Sequence, residues 1–82
     1  MDRQNLQVRL QEMVADALQV PASDVPETLA FGEIPQWDSM GHMTVIMVLE
    51  ERFGLDIDAG MIASLTSIPA MCDYLQDKVN GS

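Results

Sequence analysis

Within five positions the chain places an acid, a hydroxyl and an imidazole: Asp38, Ser39 and His42. These are the side chains of a hydrolytic triad, but a triad needs more than proximity in sequence. The base must bond the nucleophile, an acid must orient the far side of that base, and an oxyanion site must face a bound substrate. Asp38 precedes an apolar-periodic segment, where its carboxylate is best used to accept from the free N–H groups of a helix's first turn. Ser39 then stands at the first helical position, exposed and at the positive end of the helix dipole. A serine so placed is suited to carrying or holding a phosphate. His42, one turn on, is expected to be partly exposed and near the serine. No catalytic residue is assigned.

Two other groupings invite chemistry and fail. Asp56, Asp58 and Gly60 suggest a calcium loop, but a loop starting at Asp56 needs glycine sixth and glutamate twelfth, where Met61 and Ser67 stand. One cysteine, Cys72, and one histidine, thirty positions apart, make a poor zinc set. Cys72 falls on an apolar helical face and is expected to be a small core residue. No metal site is assigned.

The elements that position these residues are helical. Leu6, Leu10, Met13, Val14, Ala17 and Leu18 repeat with the helical period, giving a first helix over 3–19 that ends before Pro21. Residues 20–37 hold three prolines and a glycine and form a long loop, pinned by Val25, Leu29, Phe31 and Ile34, with a short turn near Ser23 to Val25. Trp37 closes that loop and staples the entrance of the next helix. The second helix spans 39–53, capped by Asp38 and stopped by Gly54. Its Met40, Met43 and Met47, with Ile46 and Leu49, form an apolar stripe, and at least two of the three methionines are expected to face the core. Leu55 and Ile57 tuck inward while Asp56 and Asp58 stay in solvent. A short third helix follows over 61–65, and a fourth over 68–79, capped by Ser67, with Ile68, Met71, Cys72, Leu75 and Val79 inward. Asn80-Gly81-Ser82 is expected to fray. This is an all-α four-helix bundle with a long first loop, and 1–82 make one domain.

Thirteen acidic residues against four basic ones give a net charge of −9. Phosphate backbones and anionic membranes attract basic surfaces, so nucleic acid and membrane are excluded as partners and basic protein surfaces favoured. The single cysteine, together with no leader-like start and no apolar run of spanning length, points to the cytoplasm. A monomer is expected.

Asp38-Ser39-Met40 heading an apolar helix, Leu49-Glu50-Glu51 and Phe53, the bend from Asp56 to Ala59, the start at Ser67-Ile68, and Asp73-Tyr74-Leu75 together resemble the acyl carrier protein family. The resemblance covers nearly the whole chain to about Val79. It implies that Ser39 is modified by a phosphopantetheinyl transferase, using coenzyme A, so that it bears a covalent 4'-phosphopantetheine arm. It implies that Asp38 helps the transferase recognise the serine as well as capping the helix. Acyl or aminoacyl groups would then be held as thioesters and passed from loading enzymes to synthases and tailoring enzymes, and the chain itself would not be an enzyme.

This sequence departs from the family pattern in ways that bear on its partners. Met40 stands for the common leucine, a volume-conserving change. Carriers of fatty acid synthesis usually carry several acids along the exposed side of the second helix; here Gly41, His42 and Thr44 come first, and acid arrives only at Glu50 and Glu51. The implied partner surface is therefore Met40, Gly41, Met43, Thr44, Met47, Glu50 and Glu51. Gly41 weakens the helix by roughly 1 kcal/mol relative to alanine, and could admit a partner or the arm closely. The phrase from Trp37 to Met43 most resembles free-standing carriers of polyketide and hybrid peptide pathways. A competing reading is a non-covalent four-helix interaction module with no prosthetic group. A thin core holding seven methionines could also open between the second and third helices to shelter a short acyl chain.

Overall fold

Each of the four helices starts at a side-chain cap. The computed structural model describes residues 2–80, with side chains to Lys78. It has four α-helices among those residues: α1 Arg3–Leu18, α2 Ser39–Phe53, α3 Ala59–Ser64 and α4 Ile68–Asn80. The expected inward place of Val79 and the fraying of Gly81-Ser82 lie outside the described residues and side chains, while Asn80, expected to fray with them, is the last residue of α4.

Asp2 caps α1 by accepting from the Asn5 N–H at 2.8 Å. The helix ends one residue earlier than the periodicity suggests, because Gln19 adopts the left-handed conformation (φ 57°) and turns its N–H back to the last turn. Val20 N–H donates to the Ala15 carbonyl at 3.0 Å, closing the helix before Pro21. Leu6, Leu10, Met13, Val14 and Leu18 form the buried face, and α1 packs against both α2 and α4. Two exposed ion pairs tie the same elements: Arg3 to Asp73 at 2.7 Å and Arg52 to Asp16 at 2.9 Å.

The long loop is held by backbone bonds as much as by side chains. A 3₁₀ turn at Ala22–Asp24 leads to Val25, whose carbonyl accepts from Gln11 Nε2 at 2.8 Å. Further on, Phe31 N–H donates to the Thr66 carbonyl (2.8 Å) and Ile68 N–H to the Leu29 carbonyl (3.0 Å). These make an antiparallel bridge between Ala30 and Ser67, stitching the loop to the link between α3 and α4. Buried backbone groups need such partners, and a loop that crosses the core must find them. Val25, Leu29 and Trp37 are buried in it, whereas Phe31 is 42% exposed.

α3 begins two residues before the expected start. Asp58 does more than face solvent: it accepts from the Met61 N–H at 2.9 Å and caps the helix. Leu65, expected to end the helix, is instead the buried residue just after it. Ile57 is buried and Leu55 half-buried, as expected. Ser67 Oγ accepts from the Ala70 N–H at 3.1 Å to start α4, whose inner face is Ile68, Met71, Cys72 and Leu75.

Candidate functional site

The head of α2 is a helix end built for exposure. Asp38 sits in an extended conformation, and its Oδ1 accepts from the Gly41 N–H at 2.9 Å. Its carbonyl accepts from the His42 N–H at 2.8 Å. Ser39, first residue of the helix, is exposed, and the N–H groups of Ser39 and Met40 bring the positive end of α2 to the surface. Gly54 stops the helix in the left-handed conformation (φ 62°).

His42 is the residue that departs most from expectation. It is buried, 7% exposed, on the inner face with Val45, Ile46 and Leu49. Trp37 Nε1–H donates to His42 Nδ1 at 3.1 Å, and His42 Nε2 lies 2.9 Å from the Ile62 carbonyl oxygen. With one nitrogen given to the loop and the other to α3, and with Asp38 occupied by the Gly41 N–H, the imidazole has no nitrogen left to take a proton from Ser39. The three side chains stand close in sequence but do not form a proton relay.

The methionines of α2 also depart from expectation. Met40 (82% exposed), Met43 (49%) and Met47 (56%) all face outward, leaving the core to the row that starts at His42. Thr44 is exposed beside them, its hydroxyl donating to the Met40 carbonyl at 3.3 Å. Glu51 is exposed. Glu50 is half-buried, and its Oε2 accepts from the Ile57 N–H at 2.9 Å, so it holds the start of the α2–α3 link. Gly41 does serve a close approach, but the chain's own: a Cβ there would overlap the Gln36 carbonyl oxygen and stand 2.9 Å from Leu18 Cδ2.

Beside Ser39 opens a shallow groove of about 360 Å³ lined by Phe31, Ser39, His42, Met43, Ile62 and Thr66, with Ala59 and Ala63 along the α3 side. Phe31 meets the His42 ring edge-on at 5.7 Å. Of these residues, the sequence singles out Ser39, His42 and Met43 near the site; the α3 wall and Phe31 come to it through folding, by the Ala30–Ser67 bridge and the His42 contact with Ile62. An exposed hydroxyl on a positive helix end, next to an apolar groove, fits a covalent phosphodiester whose arm has room to lie down. Among the described residues no group of three His, Cys, Asp or Glu side chains is arranged to hold a metal.

Comparison with known proteins shows the family. A family model described as a phosphopantetheine attachment site matches residues 8–75. Acyl carrier proteins are among the similar chains. That of Rubrobacter xylanophilus is 35% identical over 92% of this chain and 93% of its own. That of a Cylindrotheca species is 30% identical over 87% and 89%, and that of Thermosynechococcus vestitus 29% over 96% and 98%. The chain belongs to the acyl carrier protein family. It is a carrier, not an enzyme, and its cofactor is a covalently attached 4'-phosphopantetheine, which supplies a thiol for thioesters. The reading as a module without a prosthetic group is thereby set aside. Proteins of this kind interact with phosphopantetheinyl transferases and biosynthetic enzymes. No helix among the described residues is long and apolar enough to cross a membrane.

Proposed function

We propose that Ser39 is the residue that bears the phosphopantetheine arm, with Asp38 holding the helix end in the form the transferase recognises. The observation that carries this is the exposed Ser39 at the capped head of α2, opening on the apolar groove. The positive helix end favours the phosphodiester's charge, and exposure admits the transferase. Digestion of the arm-bearing protein followed by fragmentation mass spectrometry tests it. The arm is expected on the peptide containing Ser39; an arm on another serine would overturn the assignment.

The finer reading is a carrier domain serving a polyketide or hybrid polyketide and peptide assembly line. What supports it is the outward face of α2, where Met40, Met43, Met47 and Thr44 replace early acidic residues and Glu51 remains at the far end. Glu50 is engaged with Ile57 and Gly41 with Gln36, so both act within the fold. Exposed methionines make an adaptable apolar contact surface. Loading of the arm-bearing protein by acyltransferases of fatty acid synthesis, beside those of polyketide type, tests this reading. Preference for the polyketide type is expected, and Met43→Glu should weaken it with little change in stability. Efficient service of the fatty acid enzymes would contradict it.

A further inference from the structure

His42 is the one buried polar side chain in the core of the described residues, and its two bonds reach two different parts of the fold. Trp37 belongs to the loop, Ile62 to α3, and the imidazole stands between them on α2. An indole N–H can only donate, and a carbonyl oxygen can only accept. The imidazole must therefore offer a lone pair at Nδ1 and a proton at Nε2. Only one of its three protonation forms does this: the neutral Nε2–H tautomer.

We infer that His42 is a positioning residue, a latch that holds α3 beside Ser39 only while its imidazole is neutral. α3 is short and otherwise lightly tied. It spans six residues, none of them buried, and forms the far wall of the groove through Ala59, Ile62 and Ala63. A second proton on the ring would place an N–H at Nδ1 directly against the Trp37 indole N–H. Two donors then face each other in a buried site, and Trp37, fully buried, loses its partner. The remedy is for the ring to leave its pocket, and α3 loses its bond to α2 with it.

Charge around the ring does not rescue the protonated form. Besides Asp24 and Glu27 earlier in the loop and Glu50 and Glu51 in the last turn of α2, the carboxylates on the elements packed about it are Glu33 in the loop, Asp38 at the head of α2 and Asp58 at the head of α3. All three are exposed, and each accepts from a backbone N–H of its own segment, on Ala30, Gly41 and Met61. Neither ring nitrogen is bonded to any of them. Protonation of the ring therefore loosens α3 and widens the groove, and loss of that proton closes it. The latch stands on its own geometry, whichever residue bears the arm.

The test is nitrogen-15 NMR of the ring together with hydrogen exchange of α3, from pH 8 to pH 5. At pH 8 the ring shifts should report the Nε2–H tautomer. As pH falls, the opening of Ile62 and Leu65 amides, corrected for intrinsic exchange, should rise by roughly tenfold relative to the amides of α1. His42→Gln supplies the control. Its amide oxygen can accept from Trp37 and its amide nitrogen can donate to Ile62, without titrating, so its α3 should show no such rise. That control also separates His42 from Asp58, whose cap is present in both proteins. An Nδ1–H tautomer at pH 8, or parallel α3 opening in wild type and His42→Gln, would overturn the latch.

Discussion

Gly41→Ala is a substitution for which helix propensity and packing give opposite answers. Alanine in a helix is favoured over glycine by roughly 1 kcal/mol, so propensity alone forecasts a more stable α2. The space forecasts otherwise. The added Cβ would overlap the backbone carbonyl oxygen of Gln36 and press to 2.9 Å on Leu18 Cδ2. Restoring an ordinary carbon–oxygen contact needs a shift of about 1 Å. The atom to be moved is backbone, one residue before Trp37. Trp37 N–H donates to the Ile34 carbonyl at 3.1 Å, and its own carbonyl accepts from the Gly32 N–H at 3.0 Å. Overpacking of this kind costs about 1–3 kcal/mol, and each strained loop hydrogen bond adds up to about 1 kcal/mol. After the propensity gain, a net loss of about 2 kcal/mol is expected, lowering the thermal midpoint by roughly 8–16 °C in a domain of this size. Gly60→Ala is the matched control. Its Cβ would meet only Asp58 Oδ1 at 3.4 Å, an ordinary contact, so it should be neutral or stabilising by up to about 1 kcal/mol. Urea unfolding followed by circular dichroism measures both. A Gly41→Ala protein as stable as wild type would refute the account of how the loop packs on α2.

Asp38→Ala removes the cap of α2 and should cost about 1 kcal/mol, while Asp38→Asn, which can still accept from the Gly41 N–H, should cost less in thermal melts. Slowed arm transfer to Asp38→Asn at near-native stability would show that the carboxylate serves the transferase as well as the helix. Cys72 is 1% exposed, and burial pushes its thiol above the usual range, opposed by Arg3 and reinforced by Asp73. The folded protein should therefore resist alkylation at pH 8 and react fully in denaturant. Because the folded state holds this proton more tightly than the unfolded one, its contribution to stability should fall as pH rises above about 8.5, and Cys72→Ala should remove that decline in urea titrations.

The ends of α2 and the start of α4 are legible in the sequence because caps act over three or four residues, although the Asp58 cap of α3 is masked there by its place beside Asp56 in a bend. Asp38 with Gly41, Gly54 after Phe53, and Ser67 before Ala70 can be read without knowing what packs where. The sides of α2 are not legible in the same way. His42, Val45, Ile46 and Leu49 repeat with the same helical spacing as Met40, Met43 and Met47, so periodicity alone offers two equivalent apolar faces. The core took the face of Val45, Ile46 and Leu49, which joins the buried cluster with α1, while the His42 ring bonds the loop and α3, and the flexible methionines were left outside. His42 reads as a surface residue because its two partners, Trp37 and the Ile62 carbonyl, satisfy it only after the loop and α3 are in place. Gly41 and Glu50 follow the same rule. The Gln36 carbonyl and the Ile57 N–H that occupy them arrive by chain reversal, which no local pattern announces.

The central claim is that one arm is carried on Ser39. The most direct measurement is the intact mass of the protein and of Ser39→Ala after incubation with coenzyme A, magnesium and a broad-specificity phosphopantetheinyl transferase. Ser39 is exposed, so the substitution should leave stability within about 0.5 kcal/mol, and both proteins should be folded. A gain of one phosphopantetheine in wild type and none in Ser39→Ala is predicted. An equal gain in both, or none in folded wild type beside an active control carrier, would contradict the account.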